Sequence, residues 1–220
     1  MTLSVFDIIG PVMIGPSSSH TAGAVRLGKL ARLIFGNAPE KADIFLHGSF
    51  AKTYKGHGTD VALVAGLLGF NPDDDRIAQA LELAQEAGLE VEFIPADLGE
   101  VHPNTVKFIV SRGPKKRTIL GSSIGGGNIV VTQIDDFAVD LRGNYNTLIA
   151  TYLDRTGMVA KLSALLAEGN VNIAQMKVSR IDRGAEALMV IETDNPVDDN
   201  TIHKIRQFEG IQSLFRISPI

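Results

Sequence analysis

The sequence predicts an α/β protein of two domains, and three observations support this prediction. The chain has 220 residues, 45% hydrophobic and 21% charged, which is typical of globular domains with packed cores. Helical and strand patterns mix over residues 1–142, which favours a mixed α/β domain. From residue 145 to residue 220 the predicted order becomes βαββαβ, which indicates a second, α+β domain.

The first domain is predicted to open with a short apolar stretch, residues 3–9, which ends at Gly10 and Pro11. A helix is predicted over residues 22–33, because apolar residues recur there at helical spacing. Further helices are predicted over 61–68 and 76–84, and strands over 43–50, 89–94, 106–110 and 128–134.

The second domain begins with a strand predicted over residues 145–152, followed by an amphipathic helix over 159–167. Two strands then flank the hairpin turn Asp182-Arg183-Gly184. A second helix and a last strand complete the domain. This order predicts a ferredoxin-like fold, in which two helices cover one face of a four-stranded antiparallel sheet.

Charge and hydropathy argue against several classes of partner. The net charge of −4 and the pI near 5.7 give no basic surface for nucleic acid, and Lys115-Lys116-Arg117 is expected to be a solvated turn. The longest apolar run, Val61 to Phe70, is too short to cross a bilayer, and no basic leader is recognised. We therefore expect a cytoplasmic protein that binds neither nucleic acid nor membrane.

The absence of cysteine limits the cofactors that this chain can hold. With no thiolates, the chain offers neither a disulfide framework nor the usual ligands of an iron-sulfur cluster or a structural zinc ion. Any such cofactor must be ligated by another chain.

A row of hydroxyl side chains and one histidine stands where the first long helix is predicted to begin. The row is Ser17, Ser18, Ser19, His20 and Thr21. Serine and threonine are preferred N-cap residues, and a helix N-terminus with free N–H groups suits a carboxylate or phosphate. Histidine adds a group that can transfer a proton. The alternative is that one serine caps the helix and the others are solvated.

A second polar cluster precedes the apolar helix that starts near residue 61. His57, Thr59 and Asp60 repeat the combination of imidazole, hydroxyl and acid at a helix start. Alternatively, Thr59 or Asp60 is only a cap and His57 is merely exposed. His102 and Asn104, on either side of a proline, form a loop whose histidine is structural unless it joins the other clusters.

Two further motifs are interpreted as structural. The stretch from Gly121 to Gly127 resembles a phosphate-binding loop, but β-branched residues follow it where that loop needs a helix. It is therefore expected to connect two strands. Asp73-Asp74-Asp75 is expected to be a solvated helix start without a metal ion.

The motifs taken together resemble a known enzyme family. Gly-Pro-Ser-Ser-Ser-His-Thr-Ala-Gly-Ala, Lys-Gly-His-Gly-Thr-Asp, His-Pro-Asn and Ser-Ile-Gly-Gly-Gly resemble the β portion of the iron-sulfur-dependent bacterial L-serine dehydratases. Leu-Asp-Arg-Thr-Gly-Met-Val and Gly-Asn-Val-Asn-Ile-Ala in the second domain resemble an ACT domain. The two resemblances cover nearly the whole chain. The first domain is also similar to the allosteric substrate-binding domain of some phosphoglycerate dehydrogenases.

The resemblance implies an L-serine ammonia-lyase, which converts L-serine to pyruvate and ammonia in serine catabolism and gluconeogenesis. It implies a heterodimer in which cysteines of an α chain hold a 4Fe-4S cluster that binds the leaving hydroxyl as a Lewis acid, while this chain ligates no metal. His20 and His57 would transfer protons, and the sequence does not assign a separate role to either. The substrate-binding residues would be Ser17, Ser18, Ser19, Thr21, Thr59, Asp60, His102 and Asn104.

The ACT resemblance implies regulation by a bound amino acid at a paired interface between copies of the chain. The corresponding effector residues would be Asp154, Gly157 and Met158. Two other functions remain open. The chain could be a non-catalytic sensor of amino acids or anions, or a hydrolase with a Ser-His-Asp triad, although no Gly-x-Ser-x-Gly motif surrounds its serines.

Overall fold

A computed structural model describes residues 12–220, so the predicted apolar opening at residues 3–9 lies outside the described part of the chain. The chain divides into two compact units. Residues 12–135 together with Ile220 form the first unit, and residues 136–219 form the second. No helix among the described residues is both long and apolar enough to cross a membrane.

The first unit combines four α-helices with a mixed sheet. Its helical segments are a π-helical turn Ser18–Ala22, α1 Gly23–Phe35, α2 Gly48–His57, α3 Thr59–Leu68, a 3-10 turn Asp75–Gln79 and α4 Ala80–Glu86. Its strands are β1 Lys41–Leu46, β2 Glu90–Pro95, β3 Thr105–Arg112, β4 Lys115–Gly125 and β5 Asn128–Ile134.

The sheet order within this unit is β2-β1-β3-β4-β5. Strand β1 runs parallel to β2 and antiparallel to β3, and the remaining neighbours are antiparallel. Burial alternates along β1, with Ala42, Ile44 and Leu46 in the core. Strands β1 and β4 end at the edge of the sheet where β3 begins, since Leu46 pairs with Val106 and Ser122 pairs with Thr105. His47, just after β1, donates its N–H to the Thr105 carbonyl. The candidate site lies at this edge.

The second unit has the predicted ferredoxin-like fold. Its elements are β6 Phe137–Leu141, β7 Asn146–Leu153, α5 Met158–Glu168, β8 Ile173–Arg180, β9 Glu186–Thr193, α6 Asp199–Arg206 and β10 Ile211–Ile217. The order β10-β7-β9-β8 is antiparallel throughout. Residues of β7, β9 and both helices form one hydrophobic core. The predicted fold class is therefore confirmed for both units.

Three local predictions were wrong. The strand expected over residues 43–50 ends at Leu46, because Gly48 has a φ of +55° and begins helix α2. Lys115-Lys116-Arg117 begins strand β4 instead of forming a solvated turn. Gly121 and its neighbours belong to the same strand, so the connection between strands is confined to Gly126 and Gly127, which both have positive φ.

Gly121 lies in the strand because helix α1 approaches it closely. A Cβ at this position would lie 2.8 Å from Leu27 Cδ2. Glycine here serves close packing between helix and sheet, as glycine in strands commonly does. The sequence alone does not separate this use of glycine from a turn.

Candidate functional site

The hydroxyl-rich segment forms the entry to helix α1. Ser17 is the N-cap residue, with extended backbone angles, and its Oγ accepts the N–H of His20 at 3.1 Å. The N–H of Thr21 donates to the Ser17 carbonyl at 2.8 Å. The first N–H groups of such a turn have no intrahelical acceptor. A carboxylate can be bound there.

Helix α2 brings three side chains to the ring of His20. Ser49 Oγ lies 3.1 Å from His20 Nε2. The rings of Phe50 and His57 meet the His20 ring edge-on, with centroids 5.3 Å and 4.9 Å away. Residues 49, 50 and 57 fall on one helical face, since they are separated by seven and eight positions. The two predicted histidines are therefore neighbours.

The environment of His20 favours its neutral form. Partial burial of the ring lowers the pKa of His20 below its ordinary value of 6.5, and the nearby His57 lowers it further. A neutral imidazole can accept a proton at physiological pH, as a general base must. His57 is exposed and occupies the last position of α2, followed by Gly58 in the left-handed conformation.

Three hydroxyl groups near the helix starts are buried and have no hydrogen-bond partner among the described residues. They belong to Thr21, Thr59 and Ser123, which are 3%, 0% and 0% exposed. Ser123 Oγ lies so close to Gly23 at the start of α1 that a Cβ there would overlap it. Buried hydroxyls are normally hydrogen-bonded. The hydroxyls of Thr21 and Thr59 therefore have unused hydrogen-bonding capacity.

The remaining predicted site residues are Asp60, His102 and Asn104. Asp60 is half-buried in the first turn of α3, and its Oδ1 accepts the N–H of Val61 at 2.9 Å. His102 is exposed, and its Nδ1 accepts the N–H of Asn104 at 3.1 Å. The carbonyl of Asn104 accepts the N–H of Ser123. The His102–Asn104 loop is therefore fixed by its own hydrogen bonds and those to β4.

Of the predicted effector residues of the second unit, one lines a surface cavity and one is buried in the core. Asp154 lines a cavity of about 580 Å³ with Arg155, Thr156, Arg180, Arg183 and Gly184. Its carboxylate accepts hydrogen bonds from the Arg180 side chain and from the Gly184 N–H. Both bonds lower the pKa of Asp154, and the bond from Arg180 has the larger effect. Gly157 is the N-cap of α5, and the Met158 side chain is 4% exposed in the core.

The residues of this chain do not fit an iron-sulfur cluster. The sequence contains no cysteine, and the described residues bring no three His, Asp or Glu side chains together as metal ligands. A cluster in the assembled protein needs ligands from a different chain.

Sequence reasoning identified both histidines but missed Ser49 and Phe50. Both residues lie in α2, which was interpreted as the end of a strand and a polar loop. The available signal was Gly48 after an apolar run, since glycine at that point permits a sharp change of direction.

Comparison with known proteins identifies the family of each unit. Residues 4–134 match the family described as serine dehydratase beta chain, and residues 146–210 match the ACT domain. The chain is 45% identical over 215 residues to "Probable L-serine dehydratase, beta chain" of Bacillus subtilis, covering 98% of each chain. It is 41% identical over 199 residues to "L-serine dehydratase, beta chain" of Peptoniphilus asaccharolyticus, covering 90% of each chain.

A more distant relative is much longer than this chain. "D-3-phosphoglycerate dehydrogenase" of Synechocystis is 27% identical over 201 residues, which are 88% of this chain and 35% of that protein. Because the first family covers more than half of the chain and the two beta chains match nearly end to end, the chain belongs to the serine dehydratase beta chain family.

Proposed function

We propose that this chain is the β subunit of an L-serine ammonia-lyase. In this reaction a Cα proton and the β-hydroxyl leave L-serine as water, giving aminoacrylate. Aminoacrylate tautomerises to an imine, which hydrolyses to pyruvate and ammonia. The observation that carries the proposal is the edge-on contact of His20 and His57, 4.9 Å between ring centroids, beside the helix-start turn of Ser17–Thr21.

The turn before α1 is suited to the substrate carboxylate. The hydroxyls of Ser17, Ser18 and Ser19 are half-buried at a helix N-terminus, whose dipole favours an anion. The unpaired hydroxyl of Thr21 adds a donor. These residues would fix the Cα of serine within reach of an imidazole.

The start of α3 is suited to the substrate ammonium. Asp60 is partly open to solvent, and one of its oxygens remains after the other accepts the Val61 N–H. Thr59 offers its unpaired hydroxyl at the same helix start. We assign His102 and Asn104 to the wall of the site, because their loop is fixed against the start of α2 by the bond from Ser49 N–H to the Pro103 carbonyl.

The two histidines would share the proton transfers. His20 is neutral and partly buried, which suits removal of the Cα proton. His57 is exposed and adjacent, so it can exchange a proton with solvent. General acid-base catalysis of this kind accelerates reactions by about 10²–10⁴-fold.

The iron-sulfur cluster belongs to the α chain in this proposal, since this chain has no cysteine to ligate it. The second unit would have a regulatory role. Asp154 and Gly157, near the cavity beside β8, would contact an effector, whereas Met158 would support them from the core. Two copies of the chain would associate through their ACT domains.

Anaerobic reconstitution tests the proposal. The isolated chain should be colourless and form no pyruvate from L-serine. Addition of a cysteine-bearing α chain should give a brown complex that forms pyruvate and ammonia in equal amounts.

Pyruvate formation by the isolated chain would contradict the division of the site between two chains. If the α chain alone is fully active and this chain only changes its response to amino acids, the chain is a non-catalytic regulatory subunit instead. The two results separate catalysis from sensing.

A further inference from the structure

The ring of His20 has a hydrogen-bond partner at each nitrogen. Ser17 Oγ lies 3.4 Å from Nδ1, and Ser49 Oγ lies 3.1 Å from Nε2. Ser17 belongs to the turn that we assign to substrate binding, whereas Ser49 lies in α2, on the other side of the ring. The two nitrogens therefore face different surroundings.

The hydrogen bonds of Ser17 indicate which nitrogen carries the proton. Ser17 Oγ already accepts the backbone N–H of His20 at 3.1 Å. Its own hydrogen is then available to donate to Nδ1, which must be unprotonated to accept it. If Ser17 donates in this way, the hydrogen of the neutral ring resides on Nε2 and points at Ser49 Oγ.

We propose that Ser49 is a positioning residue, which accepts the Nε2–H of His20 and so keeps Nδ1 as the basic nitrogen on the substrate side. A base oriented through its second nitrogen is a recurrent arrangement in enzymes, because that hydrogen bond selects the tautomer and fixes the ring. The catalytic consequence rests on the proposed function, but the hydrogen bond itself can be tested without it.

The structure holds Ser49 firmly in place. Its N–H donates to the Pro103 carbonyl at 2.8 Å, and its carbonyl accepts the Thr53 hydroxyl at 2.8 Å. Gly48 permits this contact, since a Cβ there would lie 2.6 Å from the Pro103 carbonyl oxygen. The loop around Pro103 therefore positions Ser49, and Ser49 positions His20.

The contact is supported by the packing of the ring. Phe50, which is fully buried, meets the His20 ring at 66° on the side of α2. His57 meets it at 88°. One helix therefore supplies the hydrogen bond and both ring contacts, so a small shift of α2 would move the imidazole.

Nitrogen-15 NMR of the full chain is the direct test. Among the five histidines, the His20 signals are identified by their loss in His20→Gln. In the wild type, Nε2 should carry the hydrogen of the neutral ring. In Ser49→Ala the Nδ1–H tautomer should become populated, and the pKa of His20 should fall further because the imidazolium loses an acceptor.

Ser49→Thr keeps the hydroxyl and should retain the wild-type tautomer. Thr132→Ala is the matched control, because it removes an exposed hydroxyl of β5 whose bond goes to the backbone of β4. It should leave the His20 spectrum unchanged. An unchanged His20 tautomer and pKa in Ser49→Ala would overturn the proposal.

The assembled enzyme supplies the second measurement. Ser49→Ala should lower kcat about tenfold, as expected for one lost hydrogen bond, with little change in KM. The acid limb of the kcat/KM profile should move to lower pH, and Ser49→Thr should restore both. Normal kinetics for Ser49→Ala in a complex that His20→Ala inactivates would overturn the positioning role.

The acid-base role of His20 and the positioning role of Ser49 are tested separately. If His20→Ala keeps full turnover, the acid-base role of His20 in the proposed function is wrong. The NMR titration then decides alone whether Ser49 sets the His20 tautomer.

Discussion

The imidazole of His20 lies among the side chains of Ser17, Ser49, Phe50 and His57. Partial burial and the adjacent His57 hold its pKa below 6.5. Because the folded chain binds this proton less readily than the unfolded chain, the contribution of His20 to stability falls as the pH drops below about 6.5. The same lowered pKa keeps His20 neutral at neutral pH, where the imidazole can act as a base.

His20→Ala and His57→Ala should each lower kcat of the assembled enzyme about 10²-fold or more, since each removes a proton-handling group. The melting temperature should stay near that of the wild type. His203→Ala, which removes an exposed histidine of α6, is the matched control and should keep full turnover. Steady-state kinetics and thermal denaturation provide the measurements.

Near-normal turnover in both variants would contradict the catalytic role of the pair and favour the regulatory alternative. A large drop in melting temperature would instead indicate that the imidazoles mainly stabilise the fold.

At this scale the sequence indicated His20 and His57 because each stands beside hydroxyl residues at a helix start. It did not indicate their contact, which depends on α2. That helix buries only Phe50, so it shows little hydrophobic periodicity. Ser49 could not be distinguished from the other serines without knowing which side chain it faces.

Among the secondary-structure elements, helices α1 and α3 pack closely against each other at two glycines. A Cβ on Gly28 would overlap the Leu63 carbonyl oxygen, and a Cβ on Gly66 would overlap the Val25 carbonyl oxygen. The crossing brings the N-termini of both helices, with their site residues, to one end of the unit. Glycine is required here for close approach and not for a turn.

Gly66→Ala should destabilise the first unit by about 1–3 kcal/mol, the usual cost of overpacking a core. Gly56→Ala is the matched control, because nothing lies within 4 Å of a Cβ at that position of α2. Gly56→Ala should change the free energy of unfolding by a smaller amount and should stabilise the unit, since alanine has a higher helix propensity than glycine. Urea denaturation of both variants tests the difference, and equal stabilities would contradict the close crossing.

Strand β9 carries a buried carboxyl group on the sheet of the second unit. Glu192 is 5% exposed, and its Oε1 has no partner among the described residues. Burial, followed by the charge of Asp140, raises the pKa of Glu192, while Arg142 opposes the shift. Because the folded state binds this proton more tightly than the unfolded state, stability falls as the pH rises above about 4.5.

Glu192→Gln removes the ionisation, so the variant should become more stable than the wild type as the pH is raised from 5 to 8. The advantage should shrink towards acid pH. Glu186→Gln, at an exposed position of the same strand, is the control and should stay within about 0.5 kcal/mol of the wild type. A stability difference that does not vary with pH would exclude the buried charge as its cause.

The elements that the sequence predicted best were those with a clear period, such as α1 and the βαββαβ order. Strand β4 was missed over its whole length, because Lys115, Lys116 and Arg117 carry charges that are typical of turns and its later part is rich in glycine and serine. Strand β6 was missed because its five residues are too few for a pattern. Helix α2 was missed because it presents its polar side chains to the site.

At the scale of the whole molecule, the two units differ in the chemistry that they expose. The first unit presents imidazoles and hydroxyls, and the second presents a cavity with Arg155, Arg180 and Arg183 beside Asp154. From the sequence, the change of pattern near residue 142 predicts a domain boundary there. Assembly with other chains depends on which side chains lie together at the surface, and composition alone does not specify this.

The sheet of the second unit has two edge strands, β10 and β8, and β8 carries apolar side chains at its exposed end. Val178 is 42% exposed, and Ile181, just beyond the strand, is 54% exposed. An edge strand presents unpaired N–H and carbonyl groups and is commonly covered by association, often across a two-fold axis. We therefore expect two copies of the chain to pair through this edge.

Light scattering of the full chain at micromolar concentration should give a dimer. Val178→Lys combined with Ile181→Lys should yield a monomer, because two charges would have to be desolvated at the interface. Leu81→Lys, which changes a 42% exposed residue of α4 in the first unit, should remain dimeric. A monomeric wild type, or a dimer that survives the double change, would show that this edge does not mediate association. Circular dichroism of each variant establishes that the fold persists.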